Sequence, residues 1–338
     1  MKTDTLALSV GDPAGVGPEI IAKAWAALRE TGPVFMAVGD LQSLAAAGGG
    51  VKVRPVTGPV EAARVFADAL PVLDLPLQSP VIAGQPSSAH AAQIIRCIET
   101  GAGLALSGAV AGLVTAPIAK APLYEAGFKF PGHTEFLAEL TAPAPYEGAR
   151  GPVMMLTAGD LRATLVTIHQ SVGSVPAALS VERIVEAGLV TAQALKTDFG
   201  IAAPRLAVAA LNPHAGEGGA LGREEIDVII PAVEALRARG VDARGPSPAD
   251  SLFHPDARRT YDGVLCMYHD QALIPVKMLD FWGGVNVTLG LPIVRTSPDH
   301  GTAFGLAGTG KGSDASFLNA IRLADELTGG VVQQAAAQ

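Results

Sequence analysis

Short apolar runs of strand length recur along the chain, and polar or loop-forming residues end each one. Six runs show this pattern: TLALSV (5–10), VFMAVGD (34–40), AGLVTAPI (111–118), RATLVTIH (162–169), RLAVAALNPH (205–214) and DGVLCMYH (262–269). Helical patterns lie between them, starting near Pro18 and including SAHAAQIIRCIETGAGLAL (88–106) and VERIVEAGLVTAQALKTDFG (181–200). Near-continuous apolar strands that alternate with helices predict an α/β fold, with parallel sheet covered by helices on both faces.

Chain length and composition predict two packed domains. The chain has 338 residues, of which 49% are hydrophobic and 17% charged, so it can bury a large core. The clearest composition breaks are FKFPGHTEFL (128–137) and TAPAPYEGARGP (141–152). We therefore expect a split α/β domain made of residues 1–128 and 270–338, with a second α/β domain inserted at residues 129–269.

Charge and cysteine content argue against several classes of protein. The formal net charge of −8 argues against general nucleic-acid binding, so an anion site needs a local cluster of basic groups. Two cysteines, Cys97 and Cys266, give no disulfide framework and are typical of a reducing cytosol. The amino-terminal apolar run is too short for a signal sequence, and no run approaches the ~18 apolar residues of a membrane helix. We expect a cytoplasmic protein with neither membrane nor nucleic-acid partners.

Three histidines occupy equivalent positions at the ends of predicted strands: His169, His214 and His269. Ligands of open parallel sheets bind at the carboxyl ends of the strands, so these imidazoles are expected to meet within one chain or across a dimer interface. Three imidazoles with one open position are typical of a catalytic metal site, for which zinc fits best and cobalt, manganese or magnesium are alternatives. Cys266 lies three residues before His269 and would point to the opposite face of a strand, so we interpret it as a buried apolar residue.

A candidate anion site follows the last of these histidines. Lys277, Asn286 and Arg295 lie in or beside apolar stretches, where a cation is costly without a partner. A phosphorylated small molecule would be such a partner, and the alternative is an ion pair with Asp280 or Asp299.

Two further stretches carry candidate binding residues. His133 and Thr134 precede an apparent helix, whose free N–H groups would attract an anion, although Thr134 capping with Glu135 in the first turn is the alternative. GDPAGVGPE (11–19) and AGTGKGSD (307–314) are glycine-rich, but neither has the spacing of a dinucleotide fingerprint or a P-loop.

Several long motifs in order along the chain together resemble the 4-hydroxythreonine-4-phosphate dehydrogenase family of vitamin B6 biosynthesis. They are GDPAGVGPE, FPGHTEFLAEL, LNPHAGEGGALGREEID, MYHDQALIPVK and GVNVTLGLPIVRTSPDHGTAFGLAGTGK. The resemblance implies an isocitrate/isopropylmalate dehydrogenase-like fold, in which two α/β/α domains enclose an interdomain cleft. It also implies a homodimer with the active site at the subunit interface. One departure is Ala119 in TAPIAK, where relatives usually have a polar residue before Lys120.

The resemblance also assigns roles to residues. It implies divalent-metal ligation, by zinc, magnesium or cobalt, through His169, His214 and His269. It implies substrate contacts from His133, Thr134, Lys277, Asn286 and Arg295. We expect NAD or NADP to bind the glycine-rich loop at Gly301, Thr302, Gly308 and Gly310, on the split domain, with metal, substrate and dimer contacts on the inserted domain.

The implied reaction is a metal-dependent oxidation followed by decarboxylation. NAD or NADP oxidises 4-phosphooxy-L-threonine to 2-amino-3-oxo-4-phosphooxybutanoate, which loses carbon dioxide to give 3-amino-2-oxopropyl phosphate. Lys277 is the first candidate for the general base and Asp270 and Asp250 are the next, with Asp270 alternatively orienting His269. Three other functions fit the residues: oxidation of threonate or erythronate 4-phosphate by a sister group of the family, a three-histidine zinc phosphohydrolase, and a metal-binding module without activity.

Overall fold

The computed structural model describes residues 4–47 and 49–335, which form two compact α/β units. One unit consists of Met1–Pro145 and Leu291–Gln338, and the other is Tyr146–Gly290. The predicted α/β class is confirmed. Among the described residues, no helix has both the length and the apolar character that crossing a bilayer requires.

The described residues contain twelve strands and twelve α-helices, numbered here in chain order. The strands are β1 (Leu6–Ser9), β2 (Phe35–Gly39), β3 (Val53–Pro55), β4 (Leu70–Asp74), β5 (Gly112–Thr115), β6 (Val153–Ala158), β7 (Leu161–Leu165), β8 (Arg205–Ala209), β9 (Asp242–Ser247), β10 (Gly263–Cys266), β11 (Val285–Leu289) and β12 (Val294–Pro298). The helices are α1 (Gly17–Leu28), α2 (Leu41–Ala47), α3 (Pro59–Val65), α4 (Ala91–Leu106), α5 (Lys120–Glu125), α6 (His133–Thr141), α7 (Val175–Ala178), α8 (Val181–Thr197), α9 (Ile230–Ala238), α10 (Pro255–Arg258), α11 (His269–Leu279) and α12 (Ala315–Ala335).

The sheet of the first unit is parallel, with strand order β3-β4-β2-β1-β5-β12. Every residue of β1, β2 and β5 is buried, as expected for parallel strands covered on both faces. The apolar stripe of α4, which includes Ile94 and Ile98, packs in one core with Leu113 of β5. Gly101 allows this close approach, because a Cβ there would lie 2.7 Å from a methyl carbon of Leu113.

The sheet of the second unit is mixed, with strand order β11-β6-β7-β10-β8-β9. Strands β7, β10, β8 and β9 are parallel neighbours, whereas β6 pairs antiparallel with both β7 and β11. The prediction of parallel sheet was therefore wrong for β6 and its two neighbours in this unit. The physical reason is the two-residue turn between Ala158 and Leu161, in which Gly159 has a φ of 56° and the chain reverses directly.

All six predicted strands are present, as β1, β2, β5, β7, β8 and β10, and the three predicted helices are α1, α4 and α8. The other six strands were not predicted from the sequence. Several of these carry arginine or proline in short segments, such as VRP in β3 and ARGPS within β9, so their apolar pattern is weak. Cys266 is completely buried at the end of β10, as expected, and burial raises the pKa of its thiol.

The observed unit boundaries lie after residues 145 and 290, later than the predicted boundaries at 128 and 269. Two helices account for the difference. Phe136 and Leu137 of α6 belong to the core of the first unit, with α4. Ala272 and Val276 of α11 belong to the core of the second unit, with β6, β7 and β10.

An ion pair ties the start of β8 to the start of β10 in the second unit. Asp262 accepts hydrogen bonds from the Arg205 backbone N–H at 2.8 Å and from its guanidinium Nε and Nη2, both at 3.0 Å. These hydrogen bonds from the Arg205 side chain, the largest cause, lower the pKa of Asp262 below its ordinary value of 3.8. Because the folded-state pKa is lowered, the stabilisation is present above the unfolded pKa and is lost as the pH falls through the folded value.

We expect Asp262→Asn to lower the free energy of unfolding at pH 7 by about 2 kcal/mol, because charge-assisted hydrogen bonds are lost. The difference from wild type should shrink as the pH falls below 3.8. Urea unfolding at a series of pH values measures both effects. Asp256→Asn is the matched control, since its pair with Arg259 is exposed and contributes little. A pH-independent difference at Asp262 would contradict the ion-pair account.

Candidate active site

Two of the three predicted metal ligands lie together in the second unit. His169 follows β7 and His269 begins α11 after β10, and these parallel neighbours end at the same edge of the sheet. The two ring centroids are 5.8 Å apart and the ring planes are inclined by 44°. Both imidazoles line a cavity of about 380 Å³, together with Ser171, Tyr268 and Asp270. The local order of strand, loop and helix thus brings together residues that are 100 positions apart.

A carboxylate fixes the orientation of one of these rings. His269 Nδ1 lies 2.7 Å from Asp270 Oδ1. A ring nitrogen that donates to a carboxylate leaves Nε2 as the nitrogen with the lone pair, which is the form that binds a metal. The geometry therefore favours the orienting role considered for Asp270. Asp250, the other carboxylate considered as a base, is exposed in a short turn after β9 and is not among the residues that line this cavity.

His214 does not join the other two histidines in the single chain. It lies after β8 in a segment of left-handed backbone, with φ values from 45° to 76° at residues 214–218. Its side chain is 70% exposed, and its Nδ1 lies 3.5 Å from Glu217 Oε2. Within residues 4–47 and 49–335, no three or more His, Cys, Asp or Glu side chains are grouped to hold a metal ion. The described part of one chain therefore brings together two of the three predicted ligands. The three-ligand site stays a prediction, and its third ligand would have to come from elsewhere.

Glu225 binds the backbone of the loop that carries His214, a role that was not predicted from the sequence. Glu225 is 2% exposed and accepts hydrogen bonds from the backbone N–H groups of Leu211 at 2.8 Å and Asn212 at 2.7 Å. Gly216 packs closely against this carboxylate, since a Cβ at position 216 would lie 2.6 Å from Glu225 Oε2. The sequence GREEID shows two adjacent acids, and nothing in that pattern indicates which of them is buried.

In the first unit, Arg295 of β12 is a buried cation. It is 2% exposed, and its Nη2 donates a hydrogen bond of 2.6 Å to Thr115 Oγ1 at the end of the neighbouring strand β5. Burial lowers the pKa of Arg295 to about 10, so the guanidinium keeps its charge at neutral pH. Thr115 was missed as a site residue, although a polar residue that ends a buried strand was the available signal.

His133 and Thr134 begin α6 in the same unit. Burial, followed by the charge of Arg295, holds the pKa of His133 well below its usual range, so its imidazole is neutral at pH 7. Its Nε2 is buried and has no hydrogen-bond partner among the described residues. The alternative of an N-cap by Thr134 was wrong, because Gly132 occupies the cap position and makes no side-chain hydrogen bond. The geometry is therefore compatible with the predicted anion-binding role.

Lys277 and Asn286, the other two predicted substrate contacts, belong to the second unit. Lys277 is half-buried on α11, and its Nζ lies 5.3 Å from the centroid of the Phe281 ring. It lies two helical turns after Asp270 and therefore on the same side of the helix. Asn286 of β11 has a buried Oδ1 that finds no hydrogen-bond partner within the described part of the chain.

The predicted cofactor residues form a loop between β12 and α12 in the first unit. Gly308 and Gly310 have φ values of 74° and 71°, which suit glycine. A Cβ at Gly301 or Gly310 would meet no atom of the described residues within 4 Å. The loop thus exposes backbone that a ligand can approach closely.

The unusual residue Ala119 precedes helix α5. It has extended backbone at the N-cap position and makes no side-chain hydrogen bond there. Serine, threonine, asparagine or aspartate at this position would bond a free N–H of the first turn, which alanine cannot do. Ala119 therefore changes the capping of α5.

The chain is similar to proteins of one name over nearly its whole length. A family model described as pyridoxal phosphate biosynthetic protein PdxA matches residues 32–324. A 4-hydroxythreonine-4-phosphate dehydrogenase of Caulobacter vibrioides is 75% identical over 327 residues, which cover 97% of this chain and 98% of that protein. The protein of the same name from Maricaulis maris is 53% identical over 326 residues, or 94% of this chain and 96% of that protein.

A solved structure shares the fold. The crystal structure of the 4-hydroxythreonine-4-phosphate dehydrogenase of Klebsiella pneumoniae has a TM-score of 0.85 and 40% sequence identity, and the match covers 96% of this chain and 98% of that chain. The family model, the sequence identity and the shared fold agree over most of the chain, and the motifs that carry the candidate site lie within the matched region. The chain belongs to the PdxA family of pyridoxal phosphate biosynthetic proteins.

Proposed function

We propose that this chain is a dehydrogenase that oxidises 4-phosphooxy-L-threonine at C3 with NAD or NADP and a divalent metal, in the biosynthesis of pyridoxal 5′-phosphate. The product, 2-amino-3-oxo-4-phosphooxybutanoate, then loses carbon dioxide to give 3-amino-2-oxopropyl phosphate. The observation that carries the proposal is the 75% identity to the Caulobacter vibrioides enzyme over nearly the whole chain. A role in the cytoplasm accords with the charge and cysteine content of the sequence.

The residues of the cavity suit a divalent cation. His169 and His269 offer imidazole nitrogens on one edge of the sheet, and Asp270 keeps the His269 ring in the ligating form. Nitrogen donors favour zinc or cobalt over magnesium. Zinc, cobalt and magnesium all remain in the proposal as candidate metals. NAD or NADP supplies, when bound, an acceptor for hydride, and the cation supplies positive charge beside the C3 oxygen.

We infer that His214 completes this metal site in a second copy of the chain. His214 is exposed on a loop whose left-handed backbone is fixed by Glu225, so its imidazole is presented outward from the subunit. Backbone strain of this kind persists where the surroundings enforce it and is typical of functional positions. In a homodimer with the active site at the subunit interface, this exposed imidazole could reach the cavity of the other subunit.

An exposed apolar surface near the cavity supports the homodimer. Ile274, Met278, Phe281 and Trp282 are between 60% and 82% exposed, although all four are large hydrophobic residues. They lie on α11 or directly after it, the helix that begins with His269. Apolar clusters of this kind mark interaction sites, and a second copy of the chain is the partner that would also deliver His214.

The anion-binding residues divide between the two units. We propose that His133, Thr134 and Arg295 of the first unit, with Lys277 and Asn286 of the second, hold the phosphate and carboxylate groups of the substrate. Arg295 suits this role because its planar guanidinium binds two oxygens of one oxyanion. Thr115 holds the guanidinium in position at 2.6 Å. Neutral His133 contributes a hydrogen-bond donor or acceptor without adding charge.

Lys277 is the proposed general base. As hydride leaves C3, the proton of the C3 hydroxyl would pass to Nζ of Lys277, so the C–H and O–H bonds break and a carbonyl forms. Asp270 is engaged by His269, and Asp250 is exposed in its turn, so neither carboxylate fits the task as well. Such assistance typically contributes about 10²–10⁴-fold in rate. The bond between C1 and C2 then breaks, carbon dioxide leaves, and the electron pair passes to C2 and the C3 carbonyl as an enolate. A proton from solvent adds at C2 to give 3-amino-2-oxopropyl phosphate.

A direct assay tests this function. We expect the full chain to reduce NAD or NADP when 4-phosphooxy-L-threonine is added, with release of one carbon dioxide for each dinucleotide reduced. A chelator should abolish the reaction, and zinc, cobalt or magnesium should restore it. Reduction only with threonate or erythronate 4-phosphate would assign the sister activity instead. Release of inorganic phosphate without a dinucleotide would indicate a hydrolase.

Subunit complementation tests the origin of the third ligand. His214→Ala and His169→Ala should each lose bound metal and activity while the fold survives. If the ligands come from two subunits, a heterodimer of these variants contains one intact site and one site with both defects. Random pairing should therefore restore about a quarter of the wild-type metal content and activity. No restoration in a verified heterodimer would show that all three ligands come from one chain.

The Arg295→Lys variant tests the proposed contact between the Arg295 guanidinium and an oxyanion of the substrate. Loss of a charge-assisted two-oxygen contact, about 1.5–3 kcal/mol, should raise KM for the phosphorylated substrate about tenfold to a hundredfold. The kcat value and KM for the dinucleotide should change little, because lysine keeps the positive charge. Initial-rate kinetics with each substrate varied separately gives these constants. An unchanged KM for the phosphorylated substrate would remove Arg295 from the site.

A further inference from the structure

The motif GDPAGVGPE, which has no role in the proposed chemistry, lies against the proposed cofactor loop. Within the first unit, the Val16 N–H donates to the Thr302 carbonyl oxygen at 2.9 Å. Gly15 makes room for this contact, since a Cβ there would lie 2.9 Å from the same oxygen. The glycines that looked like a misplaced nucleotide fingerprint therefore let this motif approach the backbone of another loop closely.

Glu19, the last residue of the motif, binds the same loop together with Lys23. Glu19 is 3% exposed, and its carboxylate accepts hydrogen bonds from the N–H groups of Gly312 at 3.0 Å and Gly310 at 3.3 Å. Lys23, one helical turn later, lies 3.0 Å from Glu19 Oε1. Its Nζ donates to the carbonyl oxygens of Gly310 at 2.9 Å and Gly312 at 2.6 Å.

Two side chains of one helix thus satisfy both backbone polar groups of Gly310 and of Gly312. The carboxylate takes the two N–H groups and the ammonium takes the two C=O groups, while the pair neutralises itself. Glycine-rich backbone has high conformational entropy, so this segment is costly to order without such contacts. A buried carboxylate that lost its cation would in turn be strongly destabilised.

We propose that Glu19 and Lys23 are positioning residues that preorganise residues 308–312 for binding the dinucleotide. The inference rests on the proposed assignment of this loop to NAD or NADP. A loop that is ordered before binding does not spend binding free energy on becoming ordered, so affinity rises without a direct contact. Gly308 and Gly310 remain exposed, and a Cβ at Gly310 would meet no atom of the described residues within 4 Å, so a ligand can reach this backbone.

Direct binding measurements and amide hydrogen exchange on the full chain test the proposal. Glu19→Gln and Lys23→Met should weaken the binding of NAD or NADP, whichever wild type prefers, about tenfold in calorimetry. Amide exchange of residues 308–313 should become faster in both variants. Affinity for 4-phosphooxy-L-threonine should not change. Lys23→Arg should restore most of the dinucleotide affinity, because it keeps the cation.

The control is Glu30→Gln, which breaks the exposed pair with Arg29 just beyond the same helix and should leave binding and exchange unchanged. Unchanged dinucleotide affinity in Glu19→Gln and Lys23→Met, with or without faster exchange, would overturn the positioning role of Glu19 and Lys23 and leave the proposed function intact. If wild type bound neither NAD nor NADP, the cofactor assignment and the inference would both fall. A lowered melting temperature alone, with normal affinity, would show a merely structural pair.

Discussion

The hydrogen bond between His269 Nδ1 and Asp270 Oδ1 is the contact on which the proposed chemistry depends. A carboxylate oxygen 2.7 Å from Nδ1 favours the tautomer that donates from Nδ1 and leaves Nε2 to bind a cation. The position of this contact also follows from the fold. Every residue of β10 is buried, and the chain first becomes partly exposed at Tyr268 and His269, where α11 begins. The parallel pairing of β10 with β7 then places His169 beside it. A core strand thus ends on polar groups because its carboxyl end is where the sheet meets the cavity.

Buried carboxylates fix the loops that carry the candidate binding residues in both units. Glu225 holds two backbone N–H groups below the His214 loop, and Glu19 holds two in the glycine-rich loop. A carboxylate that accepts several N–H bonds orders glycine-rich backbone with a single side chain, and it replaces the regular partners that such loops lack. Neither residue touches a proposed ligand, so the proposed site depends on residues outside it. Function in this chain would therefore be sensitive to acids that appear structural.

The sequence predicted the fold class and the strongest strands because fully buried strands give nearly uninterrupted apolar runs, as in β1, β2 and β10. It also predicted that His169, His214 and His269 would meet within one chain or across a dimer interface, and the first and last of these do lie together after parallel strands. It could not place Glu225, because its partner Asn212 lies 13 positions away and no local pattern marks the buried acid. Thr115 ends a buried strand, but its partner Arg295 lies 180 positions away. The antiparallel strand β6 was missed for a related reason: its direction is set by a turn of two residues.

The electrostatics of the first unit show why His133 and Arg295, the two proposed anion-binding groups, are not equivalent. Burial and the nearby Arg295 charge keep His133 neutral, whereas Arg295 stays protonated even with its pKa lowered to about 10. Two cations buried together would repel each other and lose hydration at once, which is far more costly than one. The unit therefore presents one fixed positive charge and one neutral ring across the neutral pH range. A phosphate monoester carries close to two negative charges, so one fixed cation does not neutralise it, and neutral groups such as Thr134 and His133 would supply further hydrogen bonds.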